Sequence, residues 1–449
     1  MKVGLSKYTY QKIEKTTVCV KISLKYRRRV QLDSKEKKIN IGIGFVTGRK
    51  NFKNVIKMYV HNWKESGLIH NDNIGIHLFI AYDLHYTNTV VNDYTITDPK
   101  ILEMMDSIHY LNNTVILSEI ETLVKKNIVT LEEAELIFGE GYAMKRNAVL
   151  YFAIKKGMDY LVFFDDDEYP IANIKMNNTI LWKGENVLLT HIQNLKYADI
   201  THGYHCGYIS PMPQLEFNSK LSENDFRIFI EAVSNDIINW QSVKTKMEDG
   251  GITYADVNIK TNNKTIHVKE TNGMKFISGS NLGFNLTKID KIFPFYNPPG
   301  ARGEDTFLST CICNRVVKKI PCYTFHDSFL SCEQLLFGSL PGNLKSIKID
   351  PGTTTQRFLK VAIGWIRYKP LLLYVTQNKN YETEIALIRE KLKHVVPCIC
   401  NYFNEDKFGL ILDEFDYFHL HVKKHYEDFK RTQVVWLKLI NVLKQSNNK

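Results

Sequence analysis

The sequence predicts an α/β protein: a mixed, mostly parallel sheet flanked by helices, with a mainly helical C-terminal extension. Three observations carry that expectation. Between residues 39 and 170, apolar runs of strand length alternate with helical segments across short turns. One of those runs, Tyr160 to Phe164, ends abruptly in four carboxylates, at what would be the carboxyl edge of such a sheet. Beyond about residue 340, apolar residues recur at three- and four-residue spacing.

The elements follow in order. After a basic leader (1–38), residues 39–50 form an apolar run ending in Thr47-Gly48-Arg49, which reads as a buried strand and a turn. Phe52, Val55, Ile56, Tyr59, Val60 and Trp63 lie at helical spacing in 51–66. A second strand is expected at 74–84, a short helix around 99–110 and a third strand at 113–119. Residues 141–157 read as a helix stopped by Gly157, followed by the strand at 160–170. The stretch 171–270 is less regular. A further strand is expected at 275–286, a Pro/Gly loop at 293–303 running into a helix that begins near Glu304, and a strand at 317–329 that reaches His326. Helices are expected over 354–376, 381–394 and 408–445. The domain division is therefore leader, α/β domain (39–335) and helical region (336–449).

Composition restricts the class. With 44% hydrophobic and 24% charged residues, the 449-residue chain is neither disordered, collagen-like nor a disulfide scaffold. Its net charge of +11 is unevenly spread: +9 over residues 1–40, −5 over 41–340 and +7 over 341–449. Basic ends suit an anionic surface such as DNA or a membrane, and equally a solvated tail and ordinary helix surfaces. The first residues lack the apolar core of a signal peptide, and no stretch has the ~18 apolar residues of a transmembrane span. A cytoplasmic location is expected, with peripheral attachment to a membrane compatible. The eight cysteines include two C-x-C pairs, Cys311/Cys313 and Cys398/Cys400, which are not zinc-ribbon spacing and read as buried small residues.

Asp165 to Glu168 is the most informative segment. Four adjacent carboxylates after an apolar strand repel one another, and a bound divalent cation relieves that repulsion. In an extended segment Asp165 and Asp167 would point to one side and Asp166 to the other. Oxygen ligands with few protein contacts suit Mg²⁺ or Mn²⁺ carrying substrate phosphates. A solvated acidic turn is the competing reading.

These residues resemble the Asp-x-Asp motif of glycosyltransferases with the GT-A fold, and the layout over roughly 39–330 looks most like family 2. The resemblance implies a nucleotide-sugar donor and an acceptor hydroxyl. Thr47, Gly48 and Arg49 are similar to the nucleotide-binding opening, and Asp83 to the acid that reads base or ribose. Lys145, Arg146 and Asn147 resemble the element preceding the metal motif. Gly279, Ser280 and Asn281, within SGSNLGFN, resemble the Gly-rich strand beneath donor and acceptor. By the same resemblance Asp167 and His326 are the direct ligands of Mn²⁺ or Mg²⁺. Asp165 would lie on ribose or metal-bound water, Asp166 near the donor, and Arg302 near the diphosphate. Asp305 would be the general base, oriented by Glu304, which implies inversion. The Glu304-Asp305 pair also suits a helix N-terminus, where acids favour the dipole, and the two roles are compatible.

The expected activity is thus metal-dependent transfer of a sugar to a glycan, lipid-linked, protein or nucleic-acid acceptor. A transferase acting on hydroxylated bases of DNA and a non-catalytic carbohydrate- or nucleotide-binding module are the alternatives. Trp182, Trp240, Tyr204 and Tyr208 are candidate stacking aromatics. In the helical region, Leu359, Ile363 and Ile366 with Lys360, Arg367 and Lys369 form either a basic amphipathic face or, more simply, core.

Overall fold

A computed structural model describes residues 38–69, 71–234 and 240–447. The basic leader lies outside the described residues, apart from Lys38. Nearly uninterrupted apolar sequence makes β1 (Ile39–Thr47) and β2 (Ile74–Tyr82) strands buried on both faces, and they pair in parallel along their whole length. Between them α1 (Phe52–Glu65) buries the six apolar positions that its periodicity marks. Next come β3 (Ser107–Leu111), α2 (Asn113–Lys125), α3 (Leu131–Phe138), α4 (Tyr142–Lys155) and β4 (Tyr160–Phe164).

Residues 113–119 are therefore helix, and the third strand lies just before them. Asn112 decides the boundary: its side chain accepts from Val115 N at 2.9 Å, capping α2. The expected helix over 99–110 shrinks to one turn at Pro99–Leu102 because 107–111 pairs with β2 instead.

The irregular stretch contains a hairpin of β6 (Ile171–Met176) and β7 (Thr179–Gly184), preceded by the two-residue β5 (Glu168–Tyr169). It continues through α5 (Val187–Leu195), β8 (Ile200–Tyr208), α6 (Glu223–Val233), α7 (Trp240–Glu248), α8 (Val257–Asn262) and β9 (Ile266–His267). Then follow β10 (Leu282–Asn285), α9 (Glu304–Cys311) and β11 (Val317–Asp327). The strand expected over 275–286 is shortened to β10, because Asn281 adopts φ 50° and ends the extended run.

The main sheet has the order β3-β2-β1-β4-β10-β8-β11-β5, with β9 paired to β11. It is parallel except where β10 runs antiparallel to β4 and β8, and at the short pairings of β11 with β5 and β9. The carboxyl ends of β1, β2 and β4 therefore lie on one edge, which is where the candidate residues cluster.

The helical region comprises α10 (Thr354–Thr376), α11 (Tyr381–Phe403), α12 (Leu410–Leu420) and α13 (Val422–Asn447). Residues from Ile39 onward form one compact unit, and Trp436, Leu439 and Ile440 of α13 share a core with Val149 of α4 and Phe163 of β4. On α10, Leu359 and Ile366 are buried, Lys369 is buried and donates to Ser234 O, and Arg367 pairs with Glu414. The apolar face is core, and the basic amphipathic alternative is overturned. Seven cysteines are described, all free. No helix is long and apolar enough to cross a membrane, among the described residues.

Candidate active site

The acids after β4 do not continue as an extended strand. Glu168 N donates to Asp165 O at 3.3 Å, so Asp165 to Glu168 form a turn. The expected alternation fails for that reason: Asp166 and Asp167 engage the same arginine, while Asp165 faces another. Arg49, just past β1, lies 3.2 Å from Asp166 Oδ1 through Nε and 2.8 Å from Asp167 Oδ2 through Nη2. Thr47 Oγ1 donates to Asp166 Oδ2 at 2.7 Å. Gly48 permits the turn between them, since a Cβ there would meet the Tyr86 side chain at 2.5 Å.

Asp327 N donates to Asp167 O at 2.8 Å, and Glu168 pairs in register with His326. This brings His326 Nε2 to 3.2 Å from Asp167 Oδ2. Burial pushes the Asp167 carboxyl up, but His326 and Arg49 outweigh it and hold it below the usual carboxylate range. His326 is correspondingly pushed up to about 9 by Asp167, against the effect of burial. Asp166 is raised to about 7 by burial and by Asp167.

Asp165 faces α4. Its Oδ1 accepts from Tyr142 OH at 2.7 Å and from Arg146 Nη2 at 3.0 Å. Arg146 is 1% exposed, packed beside the rings of Tyr142, Phe163 and Phe295. It also donates to Gly279 O, and its Nε lies 3.8 Å from Glu304 Oε1. Such burial makes Arg146 an organiser that ties the β4 turn to the start of α9. Asp83 accepts from His85 N and lies 3.9 Å from Lys145 Nζ, at the adjoining end of β2.

Gly303, at φ 90°, starts α9 and aims Glu304 and Asp305 at the loop 278–281. A Cβ on Gly279 would lie 3.3 Å from Asp305 Oδ2, so glycine allows this approach. Asp305 Oδ1 accepts from Thr306 N at 2.8 Å. Burial and the neighbouring Glu304 nevertheless push the Asp305 carboxyl up to about 7.

Three expected donor contacts, Asn147, Asn281 and Ser280, are engaged internally. Asn147 is fully buried and clamps Phe295, donating to its carbonyl at 3.0 Å and accepting from its N–H at 2.7 Å. Asn281 holds His191 at 2.8 Å and the carbonyl of Tyr204. Ser280 Oγ accepts from Asp165 N and donates to Glu168 Oε2. Arg302 is exposed and lies across Gly364 of α10. The proposed stacking aromatics are mostly occupied too: Trp182 meets Phe325 edge-on, Tyr204 stacks on Tyr323, Tyr208 is buried and Trp240 packs against Phe226.

Sequence reasoning missed several members. Glu168 is 1% exposed, accepts from Ser280 and Thr324 and lies 3.2 Å from His205 Nδ1, while His205 Nε2 meets Ser278 Oγ at 2.8 Å. Arg357, in the first turn of α10, stacks on Phe329 at 4.5 Å and lies within electrostatic reach of Asp167, Arg49 and Arg302. Its guanidinium makes no ion pair among the described residues. Glu168 is signalled by its place in the acid run; nothing in a helical segment 190 residues downstream signals Arg357.

Among the described residues no three His, Cys, Asp or Glu side chains converge on one metal position. The donor pair Asp167–His326 does converge, and a Mg²⁺ or Mn²⁺ completed by phosphate and water asks for no more than one or two protein ligands. The residues therefore fit such an ion, with Asp165 outside its reach because Tyr142 and Arg146 hold it. No family model matches the chain, and no curated protein matches it in sequence.

Proposed function

We propose that the protein is a metal-dependent glycosyltransferase of the GT-A type, moving a sugar from a nucleoside-diphosphate donor to an acceptor hydroxyl with inversion. The observation that carries this reading is the linkage of two acid groups through shared partners. The turn after β4 supplies Asp167 with His326, and the α9 start supplies Asp305 with a carboxyl near neutrality, joined through Gly279 and Arg146. The parallel strands interrupted by antiparallel β10 support the same fold reading.

Asp167 and His326 would hold Mn²⁺ or Mg²⁺, which when bound supplies charge neutralisation to the leaving diphosphate. Arg49, Arg302 and Arg357 would receive the phosphate oxygens, for which a guanidinium fork is well matched. Thr47, Gly48, Asp83 and Lys145, at the carboxyl ends of β1 and β2 and on α4, would contact the nucleoside. Asp305 takes the proton from the acceptor hydroxyl as that oxygen attacks the anomeric carbon and the bond to the diphosphate breaks. Glu304 keeps the Asp305 carboxyl basic by repulsion, and Arg146 keeps Glu304 and Asp165 in place.

The test is a thermal-shift screen of nucleotides and nucleotide-sugars with and without Mn²⁺. One nucleoside diphosphate should raise Tm in a metal-dependent way, and Asp167→Ala should abolish that increment. Stabilisation by none, or an increment unchanged in Asp167→Ala, refutes the reading.

A further inference from the structure

The segment after β11 combines a braced stem with an exposed apolar tip. At its start Phe329 lies under Arg357, and Glu333 Oε1 accepts from Asn51 Nδ2 beside the Arg49 turn, so the stem borders the candidate site. At its far end Ile347 is buried and its carbonyl accepts from Gln214 N at 2.7 Å. In the middle the chain runs beside β7: Trp182 Nε1 donates to Pro341 O at 2.7 Å, and Ile180 N donates to Gly342 O at 3.1 Å. Between these anchors Phe337 is 76% exposed and Leu340 57%, with Gly338 at φ 80° turning the chain at the tip. Leu181, on the adjoining strand, is 50% exposed.

The tip and the β7 edge themselves carry only positive charge; of the acids beside them, Asp350 follows the tip and Asp249 is paired with Lys175. Residues 337–349 and β7 contain no Asp or Glu, and they carry Lys183, Lys345 and Lys348. All three are exposed, and none makes an ion pair among the described residues. Exposed apolar side chains on a segment that also carries exposed, unpaired lysines match the headgroup boundary of an anionic bilayer, where apolar side chains enter the acyl edge and lysines meet lipid phosphates.

We infer that the 337–349 tip with the β7 edge docks the protein on an anionic lipid surface. Because the same segment borders the Arg49 and Arg357 turn, docking would present a membrane-borne acceptor to the cleft, and that point alone rests on the proposed transferase reading. The lipid assignment itself does not need catalysis, so its failure and the failure of that reading are separately visible.

The experiment is co-sedimentation of the full chain with vesicles of phosphatidylcholine alone, and with about one third phosphatidylserine. The mixed vesicles should bind the chain more tightly. Phe337→Ser with Leu340→Ser should weaken that binding about tenfold or more, with an unchanged melting curve. Lys183→Glu, Lys345→Glu and Lys348→Glu together should erase the preference for phosphatidylserine, a second arm if the serine variant misfolds. Absence of binding, or binding unchanged in both variants, overturns the inference and in the second case shifts it to the basic leader. A concentration-dependent dimer in sedimentation velocity, lost in the serine variant, overturns it in favour of a second copy of the chain.

Discussion

Replacing Asp305 by asparagine should remove activity and stabilise the fold. The carboxyl is held near pH 7 rather than its usual 3.8, because burial and Glu304 disfavour its charge more than Arg146 and the Thr306 and Gly279 backbone favour it. At about 1.4 kcal/mol per pH unit, three units set a ceiling of about 4 kcal/mol on the cost of ionising it in the fold. Relaxation and solvent leave on the order of 1 kcal/mol to be measured. The sign follows from linkage. The folded pKa is raised, so the folded state binds the proton more tightly than the unfolded one, and stability falls as pH rises from about 4 to about 7. Asparagine carries no such cost and can still accept from Thr306 N. At pH 8 its Tm should therefore exceed that of the wild type by a few degrees, and at pH 4 the two should coincide. The transfer rate should drop by about 10²–10⁴, the usual worth of a positioned base. In the wild type, kcat/KM should decline tenfold per pH unit below about 7. Melting curves and donor-consumption rates across pH 4–9 read both effects. A wild-type profile flat through pH 7, or an Asp305→Asn enzyme that keeps its rate, would refute the assignment of the base.

Two further outcomes test the surrounding groups. Arg357→Gln should raise KM for the nucleotide-sugar about tenfold, the loss of one charged hydrogen bond, with Tm lowered by no more than a few degrees, since the guanidinium loses only its stacking on Phe329; unchanged donor kinetics would remove α10 from the site. Arg146→Ala should destabilise by about 3–5 kcal/mol, measured by urea unfolding, since it leaves Asp165 without its buried cation and opens a hole against Phe163 and Phe295. A loss below ~1 kcal/mol would mean that Arg146 holds nothing together.

Much of the fold was legible because its strands are buried on both faces and its helices on one. Burial of this kind writes an apolar run or a three-to-four spacing directly into the sequence, as at β1, α1, β4 and β11. The errors arose where a local hydrogen bond outweighed the pattern. Asn112 turned an apolar, β-prone NTVILSE into a helix by capping it, and the Glu168-to-Asp165 bond turned an expected extended acid run into a turn. The candidate site was legible where its residues flank an element end, as Arg49, Asp167, Asp305 and His326 do. Asn147 and Asn281 looked like ligand contacts because polar residues in an apolar context suggest function; both amides instead satisfy buried backbone or imidazole groups. Arg357 was illegible because only the tertiary packing of α10 brings it near Asp167.

Four adjacent carboxylates call for neutralisation, and the chain divides them among its own partners. Asp165 belongs to Arg146 and Tyr142, Asp166 to Arg49 and Thr47, Asp167 to Arg49 and His326, and Glu168 to Ser280, Thr324 and His205. Neutralisation is thus largely internal, and the number of acids carries no weight for a metal. What would favour one is a single pair, Asp167 with the partly exposed His326, together with guanidinium groups nearby that could receive phosphate. Arg49 is central to this, since it both holds Asp166 against Asp167 and lies toward Arg357. On the proposed reading, a diphosphate entering there would compete with the two aspartates for Arg49, and donor binding and the charge state of the acid pair would be coupled through one side chain. Such coupling, if measured, would separate a nucleotide-sugar site from a solvated acidic turn, in which no aspartate would share its cation with a ligand.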